Sequence, residues 1–133
     1  MREILFKAKT ISGNWVNGLL ANKDDKWYIS NKAGSPFAYE VRPETLCQFT
    51  GLCDKNGKRI WENDIVNHNG EYAPVKFGMY CSSFDYGNYN FGFYVDFPEE
   101  TFYRKELGYW CRKVEVVGNV FDNPELLQEE SDE

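Results

Sequence analysis

Phe91, Phe93, Val95 and Phe97 recur at every second position, the period of a half-buried strand, and Pro98 ends the run. Shorter apolar runs between turn residues predict strands over 3–8 and 15–20, paired as a hairpin through Ser12-Gly13-Asn14. A polar loop over 22–26 leads to a short strand at 27–30, and Gly34 and Pro36 punctuate a turn over 32–36. Tyr39-Glu40-Val41 precedes Arg42-Pro43, and a residue before proline is pushed towards an extended or turn conformation.

Residues 47–52 predict another strand. Asp54 to Lys58 contains Asn56-Gly57, read as a type I′ hairpin turn because both residues tolerate positive φ. A new strand opens at Ile65-Val66, Asn69-Gly70 supplies a second such turn, and 72–77 form the returning strand. Two Asn-Gly turns this close signify short antiparallel strands folding back repeatedly, as in a small sandwich or barrel. Residues 79–90 interleave aromatics with Gly, Ser and Asn without a period and read as a loop or hairpin insertion. Residues 101–110 fit a short helix or a loop equally. Val114 to Phe121 reads as a closing strand. Asn123, Pro124 and Glu125 then suit the N-cap, the first position and the dipole-favoured first turn of a brief helix.

Composition narrows the picture. With 133 residues the chain is one ordinary domain. It is read as a single β domain over 1–127, with 78–112 an insertion or a separate lobe, and an acidic tail over 128–133. Aromatic residues make up 17%, more than one small core needs, which leaves rings over for contact with a partner or another copy of the chain. No apolar run is long enough to span a membrane, and the start Met1-Arg2-Glu3-Ile4-Leu5-Phe6-Lys7 is not a signal peptide. The expected location is cytoplasmic. Net charge is −6, but residues 125–133 hold five acids and no base, leaving 15 basic against 16 acidic residues in the rest. That near-neutral body lacks the positive field of a general nucleic-acid binder, although a local basic patch is compatible with it.

Candidate chemistry is sparse. Cys47, Cys53, Cys81 and Cys111 show no close pair of metal-ligand spacing, and His68 is the lone histidine. The cysteines are expected to be reduced, small apolar fillers, with no metal and no cofactor. Glu62 and Asp64 could form an acid/base pair, but acids entering a strand more commonly tie down the N–H groups of a turn. No nucleophile elbow, phosphate loop or dinucleotide fingerprint occurs, so the chain is expected not to be an enzyme.

Two clusters are candidates for binding. Lys55, Lys58 and Arg59 gather at a predicted hairpin tip with Trp61 nearby, a mix of charge and ring that can grip a nucleic-acid strand. Tyr80, Phe84, Tyr86 and Tyr89 form the aromatic insertion, whose blend with Gly, Ser and Asn suits a protein-contact surface.

The run Gln48-Phe49-Thr50-Gly51-Leu52-Cys53-Asp54-Lys55-Asn56-Gly57-Lys58-Arg59-Ile60-Trp61-Glu62-Asn63-Asp64-Ile65-Val66 resembles the signature of the YopX family of phages and prophages. The opening Arg2-Glu3-Ile4-Leu5-Phe6-Lys7-Ala8, followed by Trp15-Val16, is similar to that family's start, and the stretch from Val114 to Leu127 is similar to its end. Residues 78–112 carry none of its pattern. Asn63 stands where the family commonly has glycine, and asparagine also tolerates the left-handed conformation. Cys53 replaces a usually charged or polar position and is assigned no role. The resemblance implies an SH3-like β-barrel, an oligomer, and phage or prophage origin, but no biochemical function. The expectation is a non-enzymatic accessory protein that binds copies of itself or a phage or host protein. A small nucleic-acid-binding barrel is the alternative, and an enzyme of unrecognised type a weaker one.

Overall fold

The computed structural model describes residues 5–30, 37–81, 89–98 and 104–127. The chain forms two compact units, Met1–Gly51 and Leu52–Glu133. The strands are β1 (Phe6–Lys9), β2 (Trp15–Lys23), β3 (Lys26–Ser30), β4 (Tyr39–Val41), β5 (Cys47–Cys53), β6 (Arg59–Trp61), β7 (Asp64–His68), β8 (Glu71–Tyr80), β9 (Asn90–Val95) and β10 (Glu115–Asn119). One helical turn, α1 (Leu107–Trp110), and two 3-10 turns (Pro43–Thr45 and Pro124–Leu127) complete the described elements. No helix among the described residues is long and apolar enough to cross a membrane.

The architecture corrects the barrel expectation. The strands hydrogen-bond in the linear orders β4-β3-β2-β1-β5-β6 and β10-β7-β8-β9, so among the described residues there are two open antiparallel sheets and no closed one. The outermost strands are β4 and β6 in the first ladder and β10 and β9 in the second, and none of them pairs as a strand with the other end of its ladder. Closure needs the outermost strands to pair in register. Here β4 and β6 are three residues each and pair only with their inner neighbours as strands. The mainly β class and the short C-terminal helical turn do match the structure.

In the first unit, Ala8, Ile29 and Val41 are buried, with Phe6, Val16, Leu20, Trp27 and Leu46 packed against them. Strands β2 and β3 meet at Lys23↔Lys26 around Asp24 and Asp25, whose φ values of 54° and 64° are those of a two-residue type I′ turn. The loop expected over 22–26 is therefore only a hairpin tip. Thr10 and Val41 form an isolated bridge, supported by bonds from Arg42 N–H to the Lys9 carbonyl and from Ile11 N–H to the Glu40 carbonyl.

In the second unit the core holds Ile60, Val66, Ala73, Val75, Val95, Phe97, Leu107, Trp110, Cys111, Val114 and Val116. The short helix exists because Leu107, Trp110 and Cys111 fall at i, i+3 and i+4 and turn one apolar face onto that core. Strand β9 ends at Val95 rather than at Pro98, where the Phe97 N–H turns back onto the Val95 carbonyl at 2.9 Å.

Strand β10 also ends early, at Asn119 instead of Phe121. The Asn119 side-chain oxygen accepts the N–H groups of Phe121 and Asp122 at 3.0 and 2.9 Å, drawing the chain into a turn. Asn123 does not cap forward as expected. Its side-chain oxygen accepts from Asn119 N–H at 3.2 Å, folding back over β10. That fold-back explains Gly118, next to a bulge in the β10–β7 register. A Cβ there would lie 2.8 Å from the Asn123 Cγ and strike its oxygen more closely still. Gly118→Ala is expected to destabilise the protein by about 1–3 kcal/mol, read as a lower denaturant midpoint.

Candidate interaction surface

The central signature is a structural clasp. Asp54 is buried at the start of the β5–β6 turn. One carboxylate oxygen accepts the N–H groups of Asn56 and Lys58 at 2.8 and 2.9 Å, and the other accepts Val116 N–H at 2.9 Å. Burial pushes the carboxyl pKa up, but those three backbone donors and the Lys58 charge outweigh it and leave the group below its ordinary value. The turn is not type I′. Gly57 alone has positive φ, at 83°, and it donates to the Asp54 carbonyl at 3.0 Å, so the loop is a tight turn closed by a left-handed glycine.

The following turn keeps the conformation expected of it. Asn63 has φ 71°, donates to the Val75 carbonyl at 2.7 Å and accepts from Val120 N–H at 2.9 Å. Asp64, 3% exposed, accepts Trp61 N–H at 2.8 Å, the turn-tying role foreseen for an acid entering a strand. Glu62 is half-buried.

The hairpin-tip cluster separates. Lys55, Lys58 and Arg59 are exposed, but Trp61 is 7% exposed and belongs to the interior. The tip therefore offers charge without a ring on which a base could stack. His68 lies on the core side of the same unit, edge-on to Trp110 at 4.9 Å, with Nδ1 3.2 Å from the Lys113 carbonyl oxygen. None of the described residues gather into a His, Cys, Asp and Glu cluster suited to a metal. Cys47 and Cys111 are buried fillers, Cys81 is half-buried, and Cys53 is exposed, so the filler role does not extend to it.

Of the aromatic insertion, Phe84 and Tyr86 lie outside the described residues. Tyr80 ends β8 and stacks on Tyr94 of β9 with centroids 5.0 Å apart. Burial raises the Tyr80 phenol above its ordinary pKa, and the Glu106 carboxylate adds to the effect. Tyr89, just before β9, is 69% exposed.

The larger feature is the opposite face of the same hairpin. Val75 pairs with Val95, Phe77 with Phe93 and Met79 with Phe91, and residues directly opposite share a face. Val75 and Val95 are fully buried, whereas Phe77, Met79 and Phe91 are 46%, 62% and 71% exposed. Phe77 packs against Phe93 at 4.7 Å and edge-on to Phe91 at 5.1 Å. One apolar stripe thus leaves the core and continues into solvent. The alternation at 91, 93, 95 and 97 announced a face, but spacing cannot show where along a strand the core stops. Lys76 and Gly78 interrupt the apolar pattern of β8 around Phe77 and Met79, so the sequence does not mark their shared face.

The arrangement defines an antiparallel two-sheet β protein whose most developed surface is an apolar strand face. The family model described as YopX protein matches residues 7–128, and the chain belongs to that family. Membership supports a phage or prophage protein of unknown function. No curated protein matches the chain.

Proposed function

We propose that this protein acts by binding rather than by catalysis, and that a second copy of the chain docks on the β8–β9 face. The observation that carries the reading is the exposed stripe Phe77, Met79 and Phe91, joined through half-buried Phe93 to a fully buried valine pair. Exposed apolar patches of this kind mark contact surfaces. A hairpin on an open sheet end also suits a two-fold contact, because β9 is the last strand of its ladder and the same patch can meet itself. Near the core the β9 edge is already occupied, since Val95 N–H donates to the Lys105 carbonyl at 2.8 Å. The contact therefore rests on the outer half of the hairpin.

The test is a variant carrying Met79→Asp and Phe91→Asp, both at solvent-exposed positions. Sedimentation is expected to show association weakened by about thirtyfold or more, with an unchanged circular-dichroism spectrum, because aromatic anchors dominate interfaces and a buried charge opposes contact. An assembly identical to that of the unaltered protein would refute the assignment of this face.

A further inference from the structure

The two units differ in charge. Residues 1–51 hold seven Lys and Arg against five Asp and Glu, a net of +2, while residues 52–133 hold eight against sixteen, a net of −8. The excess of cations in the first unit falls largely on one sheet face. Lys7 and Lys9 are on the same side of β1, and Lys9 pairs with Trp15 across to β2. Ala21 on that side of β2 pairs with Tyr28, and Lys23 pairs with Lys26 at the far end. Phe6, Ala8, Val16, Leu20, Trp27 and Ile29 alternate with these residues and take the core side. The other face carries Lys7, Lys9, Lys23 and Lys26 with Trp15 and Tyr28, beside Asn17, Leu19 and Ala21.

Its focus is Trp15. The Lys7 and Lys9 ammoniums lie 4.9 and 5.6 Å from the centroid of its ring. Two lysines two residues apart on a strand stand about 7 Å from each other along the chain, a spacing that lets each meet a separate phosphate. Acids are present at the Asp24–Asp25 tip, at Glu40, which is opposite Tyr28 and whose carbonyl accepts from Ile11 N–H two residues past Lys9, and at Glu44, next to the Thr45 hydroxyl that accepts from Lys9 N–H.

We infer that this face of β1, β2 and β3 binds single-stranded nucleic acid, with Lys7 and Lys9 meeting phosphates and Trp15 stacking against a base. Charge complementarity selects a polyanion, and the rings select one with π-faces. A duplex hides its bases, so the strand must be single. The face reads charge and base planes and makes no demand on the sugar, so thymidine and uridine oligomers bind alike. This is a different place from the hairpin tip at Lys55, Lys58 and Arg59, and it is independent of the apolar face of β8 and β9.

Fluorescence anisotropy with a labelled thymidine oligonucleotide over a series of salt concentrations tests it. Binding is expected to weaken with salt. Lys7→Gln with Lys9→Gln should lower the slope of log K against log salt by about 1.4, at about 0.7 per lost phosphate contact. Trp15→Leu should weaken binding about tenfold and leave that slope unchanged. Lys58→Gln with Arg59→Gln should bind as the unaltered protein does, and a uridine oligomer should match the thymidine one. Should Trp15→Leu fail to fold, the lysine pair decides alone. Absence of binding at low salt, equal affinity for a duplex, or a slope unmoved by the lysine changes would overturn the inference.

Discussion

Replacing Asp54 by alanine is expected to remove about 3 kcal/mol of folding stability and to lower Tm by roughly 10 °C. The carboxylate is 5% exposed and accepts three backbone N–H groups, one of which, on Val116, is 62 positions away along the chain. Removing it opens the β5–β6 turn and strands the buried Val116 donor in the same step. Asp54→Asn offers little rescue. An amide has one accepting oxygen, so its NH2 would face either the turn donors or Val116 N–H. The effect carries a pH signature. The folded-state pKa lies below the ordinary 3.8, so the carboxylate's contribution is whole above that value and is lost as pH falls through the depressed one. Urea midpoints measured across this acidic range should fall for the unaltered protein and change less for Asp54→Ala. Parallel curves for the two would show that the carboxylate is not the group responsible.

Trp110→Ala is expected to be the more damaging change, at about 4 kcal/mol. The ring is 5% exposed and meets Phe97 at 5.0 Å, His68 at 4.9 Å and Tyr109 at 5.1 Å, each edge-on. Its Nε1–H donates to the Arg104 carbonyl at 2.8 Å, so the polar end of the indole is satisfied as well. Alanine leaves a cavity where His68 of β7, Phe97 just past β9 and the segment before α1 meet one side chain. Trp110→Phe should retain more than half of the stability that alanine loses, since it gives up the hydrogen bond and part of the ring but still fills the site. The check is the urea midpoint at unchanged m-value. Similar losses for the two variants would mean that the indole N–H bond, rather than packing, dominates.

The features legible in the sequence are those that act over a few residues. Asn69-Gly70 forms its two-residue turn, with φ of 52° and 90°. Asn63 takes the left-handed conformation where the family commonly places glycine, and Asp64 ties the preceding turn. What was not legible depends on distant partners. Barrel closure requires the end strands to meet, and short-range turn signals say nothing about that. The Asn56-Gly57 pair looked like a type I′ turn, but the Asp54 side chain claims the N–H groups of Asn56 and Lys58 and imposes a different one. Trp61 read as a ring beside a basic tip, yet β6 directs it inward. The same limit hid the apolar stripe, since Val95 and Phe91 are identical in pattern and opposite in exposure.

The central claim is that the β8–β9 face meets a second copy of the chain, and light scattering of the unaltered protein at low and high salt tests it most directly. The expected particle holds at least two chains of 15.6 kDa at both, because an apolar contact is not screened by ions. A particle of 15.6 kDa at both would contradict it and leave that face to a different protein of the phage or its host.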